Sequence, residues 1–228
     1  DDTERNFSEN ALAHRGVLRG GELWIGYSYT SDLVRLWAQL DNYNFWLRKY
    51  TFDGASGAAS WNLPRNLTNI SDTRINVREP RLFGTPKSQA SACPSGSPSD
   101  PTTTDATLCQ NTDVIYLAWG TQENVSPFVA AGGADLGVYV TASLDAAQTF
   151  LEPIRYSTAR GPLFQDDDAA FESQVVTRPD GRRFYGVWNR LNTPSGQTVA
   201  EYAGGDITLV TAAQQRTQSG RALPRLSA

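Results

Sequence analysis

Three consecutive carboxylates, Asp166-Asp167-Asp168, followed closely by Glu172, form the densest set of hard ligands in this sequence. Oxygen ligands of this kind suit Ca²⁺. The spacing is not that of an EF-hand, and a solvated acidic loop is the plainer alternative. Softer metals are poorly served. His14 is the single histidine and the chain has no Met, whereas copper and zinc sites draw on several nitrogen or sulfur ligands. His14 therefore enters either as one copper ligand of a set completed elsewhere or as a hydrogen-bonded structural residue. Cys93 and Cys109 flank a Pro-, Ser- and Thr-rich stretch and have no neighbouring His or CxxC spacing. The expectation is a disulfide closing a polar loop, worth about 3 kcal/mol on the chain-entropy model, in an oxidising compartment. A chain that begins Asp1-Asp2 and contains no Met is also what removal of a secretory leader produces. Asn6, Asn66, Asn69 and Asn124 head formal glycosylation sequons.

Charge is sparse and nearly balanced, at 20 Lys+Arg against 24 Asp+Glu. No basic stripe is available to neutralise phosphates, which argues against nucleic acid as a partner. No apolar run approaches the roughly 18–20 residues that span a bilayer as a helix. Phosphate loops, GxSxG elbows and CxxCH motifs are absent from the sequence, which disfavours nucleotide enzymes, serine hydrolases and c-type cytochromes.

The elements that must position any site announce themselves through one local device. Ser143-x-Asp145-x-Ala147-x-Thr149-Phe150 lies between strand-like segments 136–142 and 151–157. A hydroxyl and a carboxylate two positions on can accept backbone N–H groups across a tight turn. The aromatic can fold back to plug the gap between neighbouring sheets. Thr51-Phe52-Asp53-Gly54, with Trp61 as its aromatic, reads as a stretched second copy. Both are structural devices rather than catalysts.

Strand-like segments recur in the same order around these devices. Segments 15–18, 22–27 and 45–50 correspond to 79–83, 114–119 and 136–141, and again to 172–179, 183–189 and 198–203. Four short antiparallel strands in about 40–50 residues is the arithmetic of a propeller blade. The prediction is an all-β chain, a β-propeller of four-stranded antiparallel blades, about three to four of them, forming an incomplete ring. An N-terminal extension covers 1–12, blades cover 13–211 with insertions at 30–43 and 87–111, and a tail covers 212–228. The first insertion is expected to be helical around 33–40, with Trp37 at its surface. Trp24, Trp119 and Trp188 are expected at one equivalent core position in each blade. Closed propellers use about 4–8 blades, so a protein partner or a second copy is expected to complete the ring.

With these motifs the chain resembles the BNR/Asp-box β-propeller superfamily, which includes the sialidases, although Ala147 stands where Gly is usual. More narrowly, Ala13-His-Arg-Gly16 with Gly26-Tyr-Ser-Tyr-Thr30, Trp46-Leu-Arg-Lys-Tyr-Thr-Phe-Asp-Gly54 and Ala118-Trp-Gly-Thr-Gln-Glu-Asn124 look like an exported bacterial family. That family includes copper-regulated surface proteins of methane-oxidising bacteria. The narrower likeness implies a non-catalytic cell-surface or periplasmic binding or assembly component, linked to copper or to a redox partner. The alternative implied by the superfamily is a glycoside hydrolase acting on surface glycans. In sialidases three arginines grip a carboxylate and a Glu activates a Tyr nucleophile. Arg78, Arg155 and Arg183 with Glu172 and Tyr185 are the residues that such an activity would use here. Arg78 departs from the family pattern by lying in the second repeat, and no general-acid aspartate stands out.

Overall fold

In the computed structural model, the described residues are 9–19, 22–87, 109–124, 137–155, 170–192, 197–206 and 225–226. They build three antiparallel sheets taken up one after another along the chain. The first runs β1 (Asn10–Arg19), β2 (Glu22–Thr30), β3 (Asn44–Phe52) and β4 (Ala59–Trp61), with β5 (Arg65–Asn66) also paired to β3. The second is β6 (Ile75–Gly84), β7 (Ile115–Glu123), β8 (Val138–Ser143) and β9 (Ile154–Arg155). The third is β10 (Ala170–Thr177), β11 (Arg183–Asn192), β12 (Gln197–Asp206) and β13 (Arg225–Leu226). Each sheet is a meander, and its first strand packs beside the first strand of its neighbour, β1 with β6 and β6 with β10. The described residues thus form an incomplete all-β propeller of three blades.

Two strand assignments extend past the sequence boundaries. β1 begins at Asn10, inside the expected N-terminal extension, and residues 225–226 of the expected tail pair with Gly204 and Gly205 as the outer strand of the third blade. The first insertion carries α1 (Leu33–Trp37), whose start is fixed by Asp32: its carboxylate accepts from the N–H groups of Val34 and Arg35. Trp37 is 57% exposed.

Two apolar seams hold the blades. Trp24, Phe45 and Leu47 of the first blade pack on Val77, Leu82, Ile115, Leu117 and Trp119 of the second. Tyr116, Ala118, Val140 and Ala142 of the second pack on Val175, Phe184 and Trp188 of the third. β7 supplies both seams because successive side chains leave opposite faces of a strand. Residues 115–121 are accordingly buried without alternation, the pattern of a strand covered on both sides.

Candidate functional site

The inner strands share one irregularity. Register shifts fall between Leu12 and Arg15 in β1, between Arg78 and Arg81 in β6, and between Phe171 and Gln174 in β10. In each case two residues oppose one on the next strand: Ala13-His14 opposite Tyr27, Glu79-Pro80 opposite Trp119, and Glu172-Ser173 opposite Trp188. Ala13 and Glu79 adopt φ of 51° and 49°, a left-handed backbone that a side chain resists. Bulges bend and re-aim a strand and gather near functional sites. A bulge repeated in register on three adjacent inner strands defines the candidate site. The signal in the sequence is the alignment of Ala13-His-Arg, Glu79-Pro-Arg and Glu172-Ser-Gln, which a repeat starting at Arg15 cuts through.

The bulges also correct one equivalence. Trp119 and Trp188 hold the same position, and its counterpart in the first blade is Tyr27. Trp24 pairs with Val17 and so corresponds to Tyr116 and Tyr185. All three tryptophans are nonetheless core, each 4% exposed.

Register decides which sequence-predicted residues meet. Arg78 lies across from Gly120 and Val138, on the face turned to the third blade. Arg155 lies across from Tyr139, which stacks on Trp119 on the opposite face of the same sheet. Arg183 opens β11 next to the Asp180-Gly181 turn, five residues from Trp188 and so about 16 Å along the strand. Tyr185 is 46% exposed on the face turned away from the second blade. Arg78, Arg155, Arg183 and Tyr185 therefore do not share one cleft. Glu172 sits in the β10 bulge. His14 is exposed in the β1 bulge, and no group of three His, Cys, Asp or Glu is arranged to hold a metal among the described residues. Asp166, Asp167 and Asp168 lie outside those residues. Cys109 is buried and is not a free thiol, while Cys93 lies outside the described residues.

The turn device of the second blade is fully wired. Ser143 Oγ donates to Asp145 Oδ1 at 2.8 Å and accepts from the Ala147 N–H at 2.8 Å. Asp145 accepts from the Thr149 N–H at 2.8 Å and from its hydroxyl at 2.6 Å. Arg65 of the first blade donates to the carbonyls of Ala147 and Gln148 and lies over the Phe150 ring, so the turn clasps the neighbouring blade. The stretched copy behaves differently. Asp53 caps its own turn by accepting from the Ala55 N–H and the Ser56 hydroxyl, but Trp61 remains 46% exposed against Tyr50 and Arg48 and plugs no seam. Thr51 pairs with Ser60 on β4.

Burial pushes the Asp145 carboxyl up, but hydrogen bonds from Thr149, Ser143 and the Gln148 N–H outweigh it and hold the carboxyl below its usual range. A lowered folded-state pKa favours folding above the unfolded value of about 4 and loses that contribution as pH falls through the folded value. Asp145→Asn is therefore expected to lower the thermal midpoint at pH 7 and to flatten its decline below about pH 4. An unchanged acid limb would show that other carboxylates carry it.

No protein-family model matches the chain, and no curated protein matches it either. Among solved structures, it is similar to a glycoside hydrolase at TM-score 0.41 and 10% identity, covering 87% of this chain and 54% of that one. A BT0996 RGII complex gives TM-score 0.43 and 8% identity over the same shares, 87% and 54%. The catalytic domain of the Coprinopsis cinerea GH62 alpha-L-arabinofuranosidase gives TM-score 0.28 and 14% identity, over 89% of this chain and 67% of that one. The chain thus spans about half the length of the first two, at 54% of each. Likeness at this level does not reach the chemistry of any site.

Proposed function

We propose that this chain is the non-catalytic binding and assembly part of an exported β-propeller, and that a second copy supplies the blades its outer faces lack. One observation carries the reading. Tyr185 corresponds in register to Trp24 and Tyr116, which are 4% and 0% exposed at the internal seams, yet it is 46% exposed. Val176 and Val187 beside it are 65% and 43% exposed. The first blade's outer face presents Tyr27, Tyr29 and Trp46, with Leu18 at 73% exposure. These are the two faces that seams cover elsewhere in the molecule, and uncovered apolar faces of this kind are interaction surfaces.

A head-to-tail pairing of two copies would create both missing seams at once around a two-fold axis. Native mass spectrometry across a concentration series is expected to give an assembly larger than 24.9 kDa, broken by Tyr185→Lys. A stably folded single chain at all concentrations would refute the reading. Export and a Cys93–Cys109 bridge belong to the same proposal, and a mass increase only after reduction and alkylation would support the bridge.

A second reading, hydrolysis of glycans, is favoured by one feature. Glu79 and Glu172 occupy equivalent bulge positions on neighbouring inner strands, and glycosidic cleavage is carried by two carboxylates. Turnover of aryl glycosides that is abolished in Glu79→Gln would establish it.

A further inference from the structure

The wedge between the second and third blades holds polar groups that the fold leaves unanswered. Arg81 lies across from Ala118, which faces Val140, and both belong to the seam with the third blade. Its side chain therefore points into that seam beside the inner strand β10. Arg81 Nε is buried without a hydrogen-bond partner. Ser173, 3% exposed, sits in the β10 bulge opposite Trp188, whose ring belongs to the same seam. Ser173 Oγ is likewise buried without a partner. Arg78 adds a second guanidinium on the same face, its side chain 3.2 Å from where a Cβ on Gly120 would stand.

Buried donors are almost always satisfied, and an orphaned one calls for a ligand or a water. Here the two orphans lie on one seam, both can donate, and a further positive charge is nearby. A guanidinium offers a fixed fork of N–H groups that matches an oxyanion in two-point contact, and a seryl hydroxyl can supply a third donor. The apolar walls of Ala118, Val140 and Trp188 keep the local dielectric low, which strengthens such contacts.

We propose that this wedge is an oxyanion-binding site, with Arg81 and Ser173 as its donors and a carboxylate or phosphoryl group of a small ligand as its occupant. The site is independent of how the ring is closed. It also differs from the arginine set expected from sequence, since Arg155 and Arg183 take no part in it.

The test is titration of the intact protein with acetate and, separately, inorganic phosphate at constant ionic strength, with chloride as control. Tryptophan emission, which Trp188 at the wall makes sensitive to occupancy, and the thermal midpoint are both followed. A saturable response to either oxyanion and none to chloride is expected, and the tighter of the two assigns the group. Arg81→Gln should weaken binding at least tenfold and Ser173→Ala several-fold. Arg81→Met should melt higher than wild type in oxyanion-free buffer, because a buried Nε donor without a partner is removed from a seam, while no longer responding to either anion. A response to both anions no different from chloride, or full binding by folded Arg81→Gln and Arg81→Met, would overturn the proposal.

Discussion

Gly181→Ala is expected to destabilise the protein by about 2–5 kcal/mol, a drop of roughly 5–15 °C in the thermal midpoint for a chain of this size. Two costs combine. Gly181 has φ +72°, and a Cβ there would meet the Val114 side chain at 2.7 Å. The left-handed backbone costs an L-residue about 1–2 kcal/mol, and overpacking a closed seam costs about 1–3 kcal/mol. Neither can relax easily. The Gly181 carbonyl accepts from the Tyr116 hydroxyl at 2.6 Å, its N–H donates to Arg178 O at 2.9 Å, and the turn is braced by the 2.7 Å Arg178–Asp180 ion pair. Gly57→Ala separates the two costs, since Gly57 has φ +71° with nothing within 4 Å of a new Cβ. Only the backbone share, about 1–2 kcal/mol, should appear there. Equal losses at the two positions in urea unfolding would show that Val114 yields and that the seam is softer than its burial implies.

Asn124→Ala is expected to cost about 2–4 kcal/mol, through loss of the side-chain donor to the Thr73 and Asp41 carbonyls rather than through lost apolar area. Asn124 is 4% exposed. Its amide nitrogen faces the carbonyls of Thr73 at 2.8 Å, Asp41 at 3.1 Å and Leu36 at 3.3 Å, while its backbone carbonyl accepts from the Gln39 side chain. One residue thereby ties the α1 insertion to the connection between the first two blades. Asn42 repeats the arrangement, donating to the carbonyls of Ile70, Asp72 and Ile75. Hydrogen exchange should rise across residues 31–43 in Asn124→Ala while β11 keeps its protection. Uniform loosening would mean that the insertion is integral to the core. The same burial leaves the Asn124-Val-Ser sequon closed to a glycosyl transferase once the chain has folded.

What is legible in the sequence is what is local. The Asp145 turn can be read because its donors and acceptors lie within six residues of one another. The three-blade order follows from aromatic strands and turn residues at repeating intervals. Residues whose meaning depends on register are not legible. A bulge inserts one residue and exchanges the faces beyond it; matching tryptophan to tryptophan pairs Trp24 with Trp119, whereas register sets Trp24 against Tyr116 and Tyr27 against Trp119. Arg78 and Arg155 are both strand arginines of one blade, yet the row Gly120–Val138 and the row Trp119–Tyr139 place them on opposite faces. Arg81 and Ser173 carry no mark at all, because a missing hydrogen-bond partner is a property of three-dimensional surroundings.

The sharing of β7 between both seams also sets a clock. Trp24, Phe45 and Leu47 cannot be fully covered until Leu117 and Trp119 arrive. The first blade, complete in sequence by Asn66, has by itself only one side of a core. At a synthesis rate of about 5–20 residues per second, the stretch from Asn66 to Trp119 represents roughly 3–10 s in which that blade is written but not closed. A nascent chain with so long a delay stays open to whatever meets it first, a translocation channel or a holding chaperone, before it can commit to its own fold.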